Sequence, residues 1–336
     1  MRVTVLGAGV AGLACAVELA ERGATVEVLE RAAALAGAGC SWFAGGMLAP
    51  WCELESSGPL IARLGEEGIA WWRRRFPAAA QQGTLVIAHG RDTGELVQFA
   101  RRTEHYQTIG AEALAALEPD LAGRFGTALY FAGEGHLDPR AALGALLARA
   151  LEVGVAVRFG VDAEPPRRAG RELLDCTGLA ARRTLADLRG VRGEMLLVRA
   201  PDVSLSRPVR VLHPRMPVYV VPRADHVYMI GATMIESDGA QRISARSLLE
   251  LLSAAYALHP AFGEAEVLES GVGLRAAFPD NLPRLRRLGG ALYVNGLYRH
   301  GFLLAPALAY RAALALLEGQ HFAEVMDEDP RQRRLA

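Results

Sequence analysis

Apolar residues recur along this chain with two spacings, and each change of spacing marks an element. Val3 to Leu6 is a short β-branched run that reads as a buried strand and ends in Gly7-Ala8-Gly9-Val10-Ala11-Gly12. Leu13 to Arg22 follows a helical spacing, and Val26 to Glu30 is a second strand ending in an acid. Residues 32 to 52 carry no charge, but Gly37, Gly39, Gly45, Gly46 and Pro50 interrupt them, so a loop and short helix are expected and not a membrane span. Leu60 to Phe76 reads as a helix with Trp71 and Trp72 toward its apolar face. Thr84 to Ala88 reads as a strand, Glu95 to Ile109 as a helix, Ala111 to Leu117 as a short helix, and Ala128 to Phe131 as a strand before the turn Gly133-Glu134-Gly135-His136. Asp138 and Pro139 are an N-cap and a first-turn proline for a helix to about Val153. Val155 to Val161 and Glu172 to Cys176 are strands, the second ending in Thr177-Gly178. Strands are then expected at Glu194–Arg199, Val209–His213, Val218–Pro222, Val227–Gly231 and Glu266–Leu274, interrupted by a helix over Ala245–Ala257. A strand at Leu292–Asn295 and a helix at Leu303–Leu317 follow, and the charged tail Asp327 to Ala336 is expected to fray.

The chain alternates between α/β and β-rich stretches. The expected fold class is α/β plus α+β. A discontinuous Rossmann-like nucleotide domain would use residues 1–55, 138–190 and 272–336, and an antiparallel-sheet domain residues 56–137 and 191–271. Within the first unit each glycine has a physical task. Gly7 allows the tight turn, Gly9 lets a pyrophosphate approach the backbone, and Gly12 lets helix and strand pack closely. The helix N-terminus offers N–H groups and a positive dipole end to phosphates. Glu30 lies 18 residues past Gly12, near the spacing of about 20 for an acid that binds a ribose hydroxyl. The alternative is an ordinary strand–helix–strand unit with glycines kept for packing.

Composition narrows the chemistry. The 336 residues carry zero net charge, and the clusters Arg73-Arg74-Arg75 and Arg284 with Arg286-Arg287 read as solvated faces, so no nucleic-acid partner is expected. The chain has no lysine, which excludes a phosphate-loop lysine, a pyridoxal Schiff base and a lysine base. Cys15, Cys40, Cys52 and Cys176 form no C-x-x-C, and no histidine pair has ligand spacing, so no metal site is expected. Free cysteines, and a first strand beginning at residue 2 or 3 with no targeting segment before it, lead to the expectation of a cytoplasmic protein away from the membrane.

Three further segments carry a family likeness: Ser41-Trp42-Phe43-Ala44-Gly45-Gly46-Met47-Leu48-Ala49-Pro50; Tyr219-Val220-Val221-Pro222-Arg223 with Ile230-Gly231-Ala232-Thr233-Met234; and Gly273-Leu274-Arg275 with Asp280-Asn281-Leu282-Pro283 and Tyr298-Arg299-His300-Gly301-Phe302-Leu303-Leu304-Ala305-Pro306. With the glycine unit, they make the chain resemble the flavin-dependent D-amino-acid oxidase superfamily, most closely its glycine oxidase branch. The resemblance implies non-covalent FAD held by Gly7, Gly9, Val10, Ala11, Gly12, Glu30, Arg31, Ser41, Ala44, Gly45, Gly46, Met47, Val161, Thr177, Gly178, Arg299, His300, Gly301, Phe302 and Leu303. It also implies that Arg275 binds a substrate carboxylate, that Tyr219 adds a hydroxyl to it, and that Arg299 holds the other side of the site. Alternatives are a structural ion pair for Arg275 and core packing for Tyr219. Met47 and Met234 match apolar pocket positions or serve as plain packing, and Glu53 reads as a solvated loop carboxylate, with an approach to the site entrance as the alternative. Two positions depart from the branch. Asn281 stands where glycine is usual, a turn that Asn tolerates, and His300 stands where asparagine is common.

The implied reaction is oxidation of glycine or another small amino acid to an imine, with hydride passing from Cα to the flavin, molecular oxygen as acceptor giving hydrogen peroxide, and hydrolysis of the imine by water to an oxo acid and ammonia. The implied role is supply of the imine to thiamine biosynthesis. Without a lysine, or a histidine in a motif that needs a base, the amine is expected to arrive neutral. A dehydrogenase that passes electrons to a quinone, and a flavoprotein that modifies a partner protein, remain open, as does a homo-oligomer. A sarcosine-oxidase-like reading is weakened, because the chain has no lysine and no cysteine after Cys176.

Overall fold

The computed structural model describes residues 1–37, 39–162, 171–214, 217–239 and 242–328. β1 (Arg2–Leu6) turns through the glycines into α1 (Val10–Glu21) and returns as β2 (Thr25–Glu30). Two 3-10 turns, Leu35–Gly37 and Gly39–Phe43, lead to β3 (Met47–Leu48), α2 (Pro50–Ser57) and α3 (Pro59–Arg75). β4 (Thr84–Ala88), α4 (Thr93–Ala100), β5 (Gln107–Gly110), α5 (Ala111–Leu117), β6 (Thr127–Phe131) and β7 (Gly135–His136) follow. Next come α6 (Pro139–Glu152), β8 (Ala156–Phe159), β9 (Glu172–Asp175) and the long β10 (Arg189–Arg199). β11 (Val209–Leu212), β12 (Val218–Pro222), β13 (Val227–Gly231), β14 (Ile235–Glu236) and α7 (Ala245–Leu258) precede β15 (Glu266–Ala277). β16 (Arg284–Leu288), β17 (Ala291–Asn295), α8 (Gly301–Leu317) and β18 (Met326–Glu328) are the last elements of the described residues.

The strands form two large sheets. The first runs β18-β16-β17-β9-β1-β2-β8 and is parallel except for the β16–β17 pair. Its central strands are apolar because helices cover them: Val3, Val5, Val28 and Leu174 are buried together with residues of α1, α6 and α8. The second runs β14-β10-β13-β12-β11-β4-β6-β5, with β15 along the other edge of β10. It was expected to be antiparallel. One pair, β4 with β11, is parallel, as the long excursion between these strands permits.

α8 is buried along most of its length and contains Pro306. Proline cannot donate to the carbonyl four residues earlier, that of Phe302. The indole N–H of Trp72 on α3 takes that carbonyl at 2.7 Å. Gly68 of α3 lies so close that a Cβ there would stand 1.9 Å from the Leu303 carbonyl oxygen.

Other expectations need correction. The helix expected over Glu95–Ile109 ends at Ala100, and Gln107–Gly110 pairs with β6 as an edge strand. The polar run through His105, whose φ is +60°, breaks the helix, and β-branched Thr108 and Ile109 suit a strand. The arginines of 284–287 are a solvated face only in part, since Arg287 is exposed and Arg284 half-buried. They lie on a strand, where Arg286 is 4% exposed and pairs with Asp187 and Asp327. Asp327 and Glu328 are held in β18, and the remainder of the expected frayed tail lies outside the described residues. Asn281 adopts φ +60°, the left-handed turn expected of it.

Candidate active site

At the end of β1 the backbone leaves no room for side chains. Gly7 has φ +94°, and a Cβ there would meet the Cys176 carbonyl oxygen at 2.9 Å, with Thr177 beside it. A Cβ on Gly12 would lie 1.9 Å from the Gly7 oxygen. Gly9 occupies the N-cap of α1 without a capping side chain, and the Val10 N–H donates to Ser41 Oγ at 3.2 Å. Glu30 is 7% exposed. Its two oxygens accept the Ala8 N–H at 2.7 Å and the Ala32 N–H at 2.9 Å. The Val161 N–H donates to the Glu30 carbonyl, which sets Val161 beside the same strand end. Ala11 is half-buried in the first turn of α1 and Arg31 is exposed past Glu30. Gly178, at φ +60°, starts the turn after β9.

From this end a cleft continues toward the second sheet. It comprises adjoining cavities of about 530 and 820 Å³, counted with their openings, that share Ala44, Gly45, Tyr219, Arg275, Arg299, Gly301 and Phe302. Val10 and Ser41 line the first. Gly46, Met47, Glu53, Arg210, Met234, His300 and Leu303 line the second. Thus residues from β12, β15, α8 and the segment before β3 converge on one space that reaches the N-terminus of α1.

Arg275 on β15 faces Gly193 on β10, where a Cβ would lie 2.3 Å from the guanidinium. Its Nη1 donates to the Thr233 carbonyl at 3.0 Å. The Tyr219 ring fits against Gly45, whose missing Cβ would stand 2.8 Å away. Burial raises its phenol pKa. Arg223 holds the loop before β3 by donating to the Gly45 carbonyl at 2.7 Å, with Asp138 at 3.4 Å. Burial lowers its pKa to about 10, although Asp138 opposes the shift.

The opposite wall is a clamp between α2 and the loop before α8. Glu53 lies 2.5 Å from Arg299, 3.4 Å from Arg210 and 3.6 Å from His300 Nδ1. Arg299 Nη2 also donates to Ser56 Oγ at 2.5 Å, and His300 Nε2 lies 3.1 Å from Ser57 Oγ. Burial would raise the Glu53 pKa, but Arg299, His300 and Arg210 outweigh it and hold the pKa at about 2. Burial lowers His300 to about 3, helped by the surrounding arginines against Glu53. At neutral pH the wall therefore holds an ionised carboxylate and a neutral imidazole.

Glu53 is a half-buried member of this clamp that lines the cleft, which fits the alternative reading, and not a solvated loop carboxylate. Arg210, Arg223, Gly193, Ser56 and Ser57 were not singled out as site residues. Arg223 stood inside a quoted motif, and Pro50 three residues before Glu53 is a helix-start signal. Met47 and Met234 both line the cleft, the latter 50% exposed at its rim. Among the described residues no group of three His, Cys, Asp or Glu side chains could hold a metal ion, and no helix is long and apolar enough to cross a membrane.

The model of a family described as FAD dependent oxidoreductase matches residues 2–314. The chain is 56% identical over 321 residues to a Rhizobium etli protein assigned as a thiamine biosynthesis oxidoreductase, ThiO, covering 95% of this chain and 98% of that one. It is 30% identical to a glycine oxidase of Geobacillus kaustophilus, covering 90% and 89% of the two chains. The structure of a Bacillus cereus glycine oxidase superposes with a TM-score of 0.82 at 23% identity, covering 95% of this chain and 96% of the other.

Proposed function

The chain belongs to the FAD dependent oxidoreductase family, with FAD as its cofactor, and on that premise we propose that it oxidises glycine, or another small amino acid, to the imine. The observation that carries this reading is the Arg275 guanidinium, which lies over Gly193 in a cleft shared with Tyr219 and the start of α8. The residues fit the cofactor. Gly7, Gly9 and Gly12 bring bare backbone to the N-terminus of α1, where Ser41 stands in for an acceptor of the Val10 N–H. A carboxylate has about four lone-pair sites, and Glu30 spends two on Ala8 and Ala32, which leaves capacity for a ribose hydroxyl. Ala44 to Met47 and His300 to Leu303 line the adjoining space for the ring system.

When bound, FAD supplies the two-electron acceptor for the substrate Cα–H, and molecular oxygen is the final acceptor. Arg275 binds the carboxylate through its planar fork. The Tyr219 hydroxyl, kept protonated by burial, donates to the same carboxylate. Together they fix the direction of the Cα–H, so catalysis comes from positioning. Gly301, Phe302 and Leu303 of the first turn of α8 line the cleft, and first-turn N–H groups, which lack intrahelical acceptors, favour negative charge nearby. No residue of the wall serves as a base: Glu53 is neutralised by Arg299, and both His300 nitrogens are turned to α2. The amine therefore enters neutral, and water hydrolyses the imine to the oxo acid and ammonia. Likeness to the Rhizobium etli protein supports a role in thiamine biosynthesis, through supply of the imine. The test is product stoichiometry in air: glycine should yield glyoxylate, ammonia and hydrogen peroxide in equal amounts. No turnover in air, with glyoxylate and ammonia formed once a soluble quinone is added as acceptor, would favour a quinone-linked dehydrogenase.

A further inference from the structure

α2 holds the clamp together with Glu53, Ser56 and Ser57, yet it is only eight residues long, a length that is marginal without tertiary support. Its N-cap is Ala49, which has no capping side chain, and Pro50 has no N–H. The next two donors, the N–H groups of Trp51 and Cys52, both go to Glu134 Oε1, at 2.9 and 2.8 Å. Glu134 lies 82 residues away from Cys52 and is fully buried. Its own backbone is tied to the start of β4, since its carbonyl accepts the Gly83 N–H at 3.1 Å. No motif claims Glu134, and it does not line the cleft.

We propose that Glu134 is a positioning residue: it caps α2 from the second sheet and thereby sets where Glu53, Ser56 and Ser57 hold Arg299 and His300. The groups that face its carboxyl are the Cys52 thiol and Glu53 of α2 and Thr84 of β4. Burial pushes the carboxyl up to about 7 despite the N–H bonds it accepts, so glutamine, which keeps one carbonyl oxygen for both donors, is a close mimic. Alanine removes the cap and leaves two buried donors unsatisfied.

The proposal rests on the reading of the cleft as an amino-acid site, and its test separates the two. The FAD-loaded enzyme is titrated anaerobically with glycine, and with acetate as an unreactive carboxylate. Glu134→Ala should raise both apparent Kd values about tenfold, change the limiting rate of flavin reduction less than threefold, and retain FAD. Glu134→Gln should return both Kd values to within threefold of the parent. A folded Glu134→Ala enzyme with parental Kd values overturns the proposal. If Glu134→Ala does not fold, Glu134→Asp decides, since its carboxylate falls one methylene short. It should raise Kd at least threefold, and parental values overturn the proposal. If no amino acid or carboxylate binds the parent, the proposed function fails. The visible circular dichroism of bound FAD then decides: it must change in Glu134→Ala and return in Glu134→Gln, and an unchanged spectrum overturns the role of Glu134.

Discussion

A guanidinium that spends one bond on a backbone carbonyl and otherwise borders a cleft can take a carboxylate along its remaining edge. Arg275→Ala should therefore raise the apparent substrate Kd on the order of 10²-fold, equivalent to about 3 kcal/mol, read from flavin absorbance during titration. Arg275→Lys should recover only part, because an ammonium lacks the fork. The clamp and Glu134, which caps α2, make stability depend on pH in opposed ways. His300 stays neutral in the fold down to about 3, whereas the unfolded chain takes that proton near 6.5. Glu53 likewise stays ionised to about 2, against 4.5 unfolded. Both contributions are lost as pH falls, His300 between about 6.5 and 3 and Glu53 between about 4.5 and 2. Glu134 behaves in reverse: the fold keeps its proton up to about 7, so it costs stability as pH rises from 4.5 through 7. Urea midpoints should thus fall less steeply from pH 6.5 to 4 in His300→Asn, and Glu134→Gln should gain on the parent from pH 5 to 8. Parallel curves for parent and variants would contradict these assignments. That Arg275 and Tyr219 line one cleft was legible because each sits in a recognisable segment. Glu53 was not, because its partners Arg210 and Arg299 lie on other elements, 157 residues away in the case of Arg210, and no local spacing reports a contact of that range.

α3 and α8 meet through a glycine and a tryptophan, and both contacts bear on the start of α8. Gly68→Ala would force a Cβ against the Leu303 carbonyl, a backbone atom that no rotamer change can move. It should cost about 1–3 kcal/mol and weaken FAD retention, because the displaced backbone belongs to the cleft wall. Trp72→Phe removes the donor that satisfies the Phe302 carbonyl. It should cost about 1–3 kcal/mol for the orphaned group, with urea unfolding as the measurement. Helical and strand periods made α1, α3, α6 and α8 legible. They failed at β16, whose arginines look solvated until Asp187 and Asp327 arrive from elsewhere. They failed also at β5, an edge strand whose short polar run follows a helix without a strong stop.

Over the whole molecule, the glycine unit, the cleft and the clamp form one continuous path from the N-terminus of α1 to α2. No cysteine follows Cys176; Cys40 lines the cleft beside Gly273, but burial raises its thiol pKa and so disfavours the thiolate that a covalent link would need. Acid precipitation should therefore release all the flavin into the supernatant, and flavin retained on the pellet would contradict non-covalent binding. The central claim is that this path brings a small amino acid to the flavin through Arg275. Anaerobic stopped-flow reduction with glycine, sarcosine and a bulky D-amino acid tests it without reference to the electron acceptor. Glycine or sarcosine should bleach the flavin fastest, and the pH profile should shift with the amine pKa of the substrate. Faster bleaching by the bulky D-amino acid, or no bleaching by any of the three, would contradict the account.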